Sequence, residues 1–425
     1  MTLNRSIAPD IAPLSVPALL PYSRTSLPNG IEIIYIHDPA QEVFKIDVQF
    51  EAGIYYQPQP LISSTTVNML NEGTTRHDAE AIAEIFDYYG AYVDYNCGLN
   101  KVELSLISLN KYAAETIAML AEMIADSVVP EKELEIFLRN KRQEFLVGLE
   151  KTAYLARKEF SKLLFGERHP YANLISEKDY SRVTASSVRD FYHRHINAHN
   201  CRIMVCGNVS EEVLSLLETH FSRLQAPGTP PPAVSHSFSP APAGRYKVVK
   251  ENAVQASLRM GKKGVRITEA DYAGFQLLNT VLGGYFGSRL MSNIREEKGY
   301  TYGIQSFNVS IPEGSYWCIA ADVNSDYTEA TIDETLKEIG KLQTEPIPED
   351  ELTLVKNYFH GDLLREIDGV FSQSDALKHK LNYGLTNEIY LSIIDKIKHC
   401  RAEDLLELAQ KYWNPDDMYI VTAGK

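Results

Sequence analysis

Residues 128–134 read VVPEKEL, and residues 346–352 read PIPEDEL. Their prolines, Pro130 and Pro348, stand 218 positions apart. A second echo lies further along: INAHNCRIMVCGN at 196–208 returns as WNPDDMYIVTAGK at 413–425, with Gly207 and Gly424 separated by 217 positions. Chance can supply either match alone. Two distant anchors that share nearly one register predict duplicated domains.

The duplication sets the domain plan. A chain of 425 residues is too long for one hydrophobic core. Between the two copies, residues 226–244 (APGTPPPAVSHSFSPAPAG) have the proline, serine, alanine and glycine content of an extended, semi-rigid connector. The expected order is an arm at 1–24, a first domain at 25–225, the connector, and a second domain at 245–425. The arm carries Pro9, Pro13, Pro17 and Pro21, which break the apolar run that a signal peptide would need.

Within each copy the pattern is mixed. IEIIYI (31–36), FKIDVQF (44–50) and VELSLISL (102–109) read as strands from β-branched content and alternation. HDAEAIAEIFDYYG (77–90) places Ala79, Ile82, Ile85, Phe86 and Tyr89 on one helical stripe, with Gly90 set to end it. Helices follow across 111–127 and 131–152. The second copy repeats the order, with strands at 255–261, 300–309 and 316–323 and helices at 272–284 and 288–298. The fold class expected is α+β: two tandem homologous α/β sandwich domains, each a mostly antiparallel sheet with helices packed on one face.

Composition excludes some functions. A formal net charge of −14 opposes binding to a phosphate backbone, so no nucleic acid is expected as a partner. No apolar run is long enough to span a bilayer. Five cysteines, an odd number without a CxxC pair, argue against a disulfide framework and for a reducing compartment, hence a cytoplasmic location.

The motifs carry a more specific message. LPNGIEIIYI, then a helix ending NEGTT, then AEIFDYYGAYVDYN resembles the first domain of the pitrilysin and processing-peptidase superfamily of zinc metallopeptidases, and LNTVLGGYFGSRLMSNIREEKGYTYGIQS (278–306) resembles its second repeat. The likeness covers nearly the whole chain after the arm. It implies a zinc site built on an inverted HxxEH, five residues before a Gly-Thr. Counting back from Gly73 puts those histidine, glutamate and histidine positions at Ser64, Val67 and Asn68, spaced so that all three emerge on one helical face. A serine hydroxyl and an asparagine amide are poor zinc ligands, and valine takes no proton from a metal-bound water. The implied third ligand falls near Glu144, and one carboxylate holds no zinc. The helix at 61–74 (LISSTTVNMLNEGT) therefore occupies an active-site position without its chemistry, and no cofactor is expected in this chain.

In two-subunit bacterial members of the superfamily, one subunit bears the zinc motif and the other an arginine and a tyrosine that face it. Arg295 and Tyr302 match that pair by position. A guanidinium can grip a peptide carbonyl or carboxylate, and a phenol can donate to an oxyanion. By spacing alone, Arg295 could equally pair with a neighbouring acid and Tyr302 pack on its sheet. The resemblance implies a homologous partner carrying HxxEH and zinc, a peptide substrate, and a noncatalytic role for this chain in a heterodimeric metalloendopeptidase. Two other readings stand: a catalytically inactive scaffold or peptide-binding protein, a monomer or a homodimer when alone, and a relocated metal site at His193, His195 and His199. Cys201 and Cys206, on opposite faces of a strand, are poor joint ligands. LGGYFGSRL (282–290) lacks the spaced lysine of a phosphate loop, and its glycines are expected to let a helix end turn close to the neighbouring layer. Finally, VDYNCGLNKVELSLI (93–107), with polar Asp94, Asn96 and Asn100, is expected to form an edge strand to which an extended peptide could add.

Overall fold

The computed structural model describes residues 18–40, 42–226 and 234–425. Most of the predicted arm and residues 227–233 of the connector lie outside the described residues. The first sheet holds β1 (Ser23–Ser26), β2 (Glu32–His37), β3 (Val43–Phe50), β4 (Tyr92–Cys97), β5 (Val102–Leu109) and β6 (Cys201–Gly207) in the order β1-β2-β6-β3-β5-β4. The second holds β7 (Gly244–Val249), β8 (Gln255–Lys263), β9 (Thr301–Ile311), β10 (Gly314–Asn324) and β11 (Tyr419–Gly424) in the order β7-β11-β8-β10-β9. Apart from β1, the two orders are the same when matched strand for strand. The arm expected to run to residue 24 gives way to β1 at Ser23, which pairs with β2.

Each sheet is antiparallel except for one pair, β2 with β6 and β7 with β11. The sequence echoes sit at equivalent places. Pro130 and Pro348 each cap a long helix, Glu131–Leu149 and Glu349–Glu366; Gly207 and Gly424 each end the strand that is parallel to a neighbour. Proline suits this place because a helix start needs no backbone N–H there. Gly90 terminates the helix Ala79–Tyr89 at φ 60, and its N–H returns to the last turn.

Alternation along the strands explains the layers. Ile33, Ile46, Val48, Ile203 and Val205 face the first half's own helices, while Ile34, Ile36, Met204 and Cys206 point the other way. That second face is covered by a helix from the other half: Val370 and Leu377 of Gly369–Asn382 pack on it. The exchange is reciprocal. Phe160, Leu163 and Leu164 of the first-half helix Thr152–Phe165 pack on Cys318, Tyr419 and Val421 at the outer face of the second sheet, and Thr152 meets Ser257 Oγ at 2.9 Å. We call these two helices straps. Each half keeps its remaining long helices on one face, as expected, and lends one to its neighbour.

Charge reinforces one strap. Lys378 Nζ lies 2.7 Å from Asp47 on β3, 2.8 Å from Glu103 on β5 and 3.0 Å from Asp375. Asp47, at 1% exposed, is its buried end, while Asp375 reaches the surface at 50%.

Candidate functional site

The helix Ile62–Met69 carries the positions where zinc ligands were expected. It starts abruptly, because Leu61 holds a left-handed φ of 75. Val67 is fully buried in the first half's core. The single face foreseen for Ser64, Val67 and Asn68 is thus divided: Ser64 and Asn68 line a cavity of about 410 Å³ and Val67 turns inward. Glu144, from the long helix Glu131–Leu149, lines the same cavity, so three of the four expected positions do converge.

Their chemistry does not suit a metal. Ser64 Oγ donates to the Leu61 carbonyl at 3.1 Å, and Asn68 Nδ2 donates to the Ser64 carbonyl at 2.8 Å. Glu144 is 65% exposed and takes an ion pair from Lys141 Nζ at 2.8 Å. Among the described residues Glu144 is the only carboxylate lining the cavity, and an ammonium sits beside it. The sequence reading missed this feature although Lys141 lies one turn before Glu144. Cys97, at the end of β4, also lines the wall; burial raises its thiol pKa, and its Sγ rests 3.1 Å from Ser63 Oγ. Zinc does not fit this set of donors.

The histidine cluster is not a replacement. His193 and His195, two positions apart on the helix Ala185–His195, leave it in different directions: His195 is buried and stacked on Phe191 with ring centroids 4.4 Å apart, whereas His193 lines a separate cavity. His199 lies in the following turn. Among the described residues no group of three or more His, Cys, Asp or Glu side chains is placed to hold a metal ion. The three histidines are therefore not brought together as a ligand set.

Arg295 and Tyr302 are presented differently. Arg295 lies in a wide π-helical turn, Met291–Glu297, which closes through Lys298 N–H to the Asn293 carbonyl at 3.1 Å. Its guanidinium lies over the Phe286 ring, 4.6 Å from the centroid. Among the described residues it has no acidic partner, so the alternative of a local ion pair is not what forms. Phe286, missed in the sequence, is 61% exposed and supports that guanidinium from below.

Tyr302 stands on β9, the edge strand of the second sheet, and is 89% exposed. Register accounts for this. Ile304 pairs with Ala321 and Thr301 with Val323, so Tyr302 and Gly303 together oppose Asp322 as a β-bulge. Thr301 Oγ1 fixes the bulge, accepting from Gly303 N–H at 3.1 Å and donating to the Asp322 carbonyl at 2.7 Å. Neither Arg295 nor Tyr302 lines the cavity of Ser64, Asn68 and Glu144, whose wall comes wholly from the first half.

The predicted edge strand is confirmed as β4, at the margin of the first sheet, with Tyr92, Asp94 and Asn96 exposed and Val93, Tyr95 and Cys97 half-buried. LGGYFGSRL serves packing: a Cβ on Gly283 would meet Ser306 of β9 at 2.7 Å. Its Arg289 makes a two-pronged ion pair with Glu351, at 2.9 and 2.8 Å. No helix among the described residues is long and apolar enough to cross a membrane.

Comparison with known proteins agrees with this architecture. A family model described as the peptidase M16 inactive domain matches residues 182–359. An uncharacterized zinc protease of Rickettsia felis is 26% identical over 92% of this chain and 95% of its own length, and one of Bacillus subtilis is 25% identical over 92% and 96%. Among solved structures, a peptidase M16 inactive domain from Pseudomonas fluorescens superposes with a TM-score of 0.86 at 23% identity, covering 95% of this chain and 98% of that one. A protease from Helicobacter pylori gives 0.87 at 17% identity over 95% and 100%.

Proposed function

Because the chain belongs to the pitrilysin-like, M16 superfamily of zinc metallopeptidases and lacks the superfamily's zinc motif, we propose that it is the noncatalytic subunit of a two-chain zinc endopeptidase. In this reading a homologous partner carrying HxxEH supplies the metal, the general base and the water. This chain supplies Arg295 to grip a carbonyl or carboxylate of a bound peptide and Tyr302 to donate a hydrogen bond where negative charge develops at the scissile carbon.

One observation carries the proposal. A guanidinium held over an aromatic ring with no acidic partner among the described residues, and a phenol pushed out by a bulge on the edge strand, both keep unused donors. Exposure of Tyr302 at an edge strand suits contact with another molecule better than internal packing. The cytoplasm is the proposed compartment, in keeping with five unpaired cysteines, three of them buried.

The test is reconstitution. Alone, the purified chain should bind no stoichiometric zinc and cleave no peptide. Mixed with an HxxEH homologue from the same cell, it should create endopeptidase activity whose kcat falls about 10²-fold in Tyr302→Phe, the usual effect of removing one such donor. Hydrolysis by the single chain that a chelator abolishes would overturn the reading. A stable homodimer that activates no homologue would favour an inactive scaffold instead.

A further inference from the structure

The duplication leaves one strand unmatched. β2 corresponds to β7 and β6 to β11, each couple being the parallel pair of its sheet. In the first half the far edge of β2 is taken by β1, antiparallel, with Ser23 opposite Tyr35 and Thr25 opposite Ile33. In the second half, among the described residues, β7 is itself the edge. Its register with β11 places Lys247 where β2 has Tyr35, and Arg245 where β2 has Ile33.

That edge has backbone groups to spare. Gly244 N–H donates to the Met418 carbonyl at 3.0 Å and Lys250 N–H to the Gly424 carbonyl at 2.8 Å, so the even-numbered residues of β7 face β11. In a parallel ladder the residues between them turn both N–H and C=O the other way. Arg245, Lys247 and Val249 therefore present donors and acceptors outward, and no described residue bonds to them there. The segment just before β7, the counterpart of β1 in chain order, is held elsewhere: Ser239 N–H donates to the Phe165 carbonyl at 3.2 Å and Ala241 N–H to the Leu163 carbonyl at 2.8 Å. What such an edge accepts is visible on β2, where β1 is a short extended segment running antiparallel.

Side chains select the occupant. Arg245, Lys247 and Val249 are all exposed, Val249 at 65%. Among the described residues Arg245 pairs only with the exposed Glu329, at 2.7 Å, and Lys247 pairs with no carboxylate. Lysine on an edge repels a basic strand, including β7 of a second copy. Opposite charges facing each other across two strands stabilise the pairing.

We propose that the outer edge of β7 binds an extended acidic segment of another protein, added antiparallel as a further strand. Its carboxylates, two positions apart, would stand opposite Lys247 and Arg245, and an apolar side chain opposite Val249. This surface lies at the other margin of the second sheet from Tyr302 on β9, and it does not depend on the chain having a catalytic partner.

The probe is a short threonine-rich peptide blocked at both ends, with the order Val-x-Glu-x-Glu; the control carries lysines in place of the glutamates. Both are titrated into the full chain at low ionic strength, by fluorescence anisotropy and by hydrogen exchange resolved to single residues. The acidic peptide should bind saturably and slow exchange at Arg245, Lys247 and Val249 by about tenfold or more, while the lysine peptide does neither. Lys247→Glu should weaken binding about tenfold. Lys247→Pro should abolish it, since proline removes an outward N–H and no bond of the fold; a circular dichroism melt verifies its folding, and Lys247→Glu, which keeps the backbone donor, decides the matter if that melt shifts. Absence of protection at the three amides, equal binding of the lysine peptide, or binding that Lys247→Glu leaves unchanged would overturn the assignment.

Discussion

Replacing Lys378 with methionine tests the idea that the straps hold the halves together. The substitution keeps the stem and removes one ammonium from contact with Asp47 at 2.7 Å, Glu103 at 2.8 Å and Asp375 at 3.0 Å. Stranding a buried charge completely costs about 3–5 kcal/mol. Asp47 is not wholly stranded, because Lys45 Nζ remains 3.2 Å away and Ser105 still donates to it; Glu103 keeps the Gln49 amide. The expected loss is therefore about 2–3 kcal/mol. Urea unfolding followed by far-ultraviolet circular dichroism measures it, and hydrogen exchange in β6 and the strap should show the two loosening together. The double variant Lys378→Met with Asp47→Asn should recover about 1 kcal/mol, since it leaves no unpaired aspartate. A loss under about 0.5 kcal/mol, or strict additivity of the two substitutions, would refute the reasoning. Burial opposes the Lys378 ammonium, but Asp47 and Glu103 outweigh it and raise its pKa, so its contribution is present at neutral pH and disappears only in strong alkali.

Acid should act through other groups. Burial lowers His169 and His195 to about 4, and His169 Nδ1 accepts from Tyr171 N–H at 3.1 Å, which requires the neutral ring. Both contribute stability above the unfolded value near 6.5 that is lost as pH falls toward 4, at up to about 1.4 kcal/mol per pH unit each; unfolding midpoints at pH 7 and pH 5 should differ accordingly, and His169→Gln should reduce the difference. Glu122 adds a lower step. Burial raises its pKa, but hydrogen bonds from Thr74 and His77 and the charge of Arg76 prevail and lower it, so Glu122→Gln should flatten the stability profile below about pH 4.5. Restoring the family motif with Ser64→His, Val67→Glu and Asn68→His should not yield a zinc enzyme: the carboxylate that Val67→Glu introduces would enter the core, destabilising the fold by about 3 kcal/mol or more, and metal analysis with denaturation would show the failure. Arg295→Ala and Tyr302→Phe should each change the stability of the isolated chain by less than about 0.5 kcal/mol, since neither side chain makes a buried polar contact among the described residues.

The sequence was most legible where period and punctuation agreed. VELSLISL is β5 to the residue, and YTYGIQSFNV and YWCIAADV fall within one or two residues of β9 and β10. The repeated prolines and glycines mark the same junctions in both halves. The helix read through 131–152 breaks at Glu150–Lys151, and what begins at Thr152 is the strap. Nothing in TAYLARKEFSKLLF says which sheet its apolar side will meet, because periodicity reports a buried face and not its partner. The same limit hid Val67: spacing placed it beside Ser64 and Asn68, but tertiary packing rotated it into the core. Arg295 and Tyr302 were singled out by resemblance alone, and their freedom from acidic and sheet partners depends on a π turn and a bulge that side-chain patterns do not encode.

The exchanged straps also constrain synthesis. Residues 23–207 emerge first and complete the first sheet, yet its outer face, with Ile34, Ile36, Met204 and Cys206, waits for a helix that begins at Gly369. A nascent chain must therefore carry an uncovered apolar surface while roughly 160 more residues are translated, about 8–32 s at ordinary ribosome speeds. Truncation before Val370 removes both buried strap residues that cover that surface, so the first half expressed alone should aggregate.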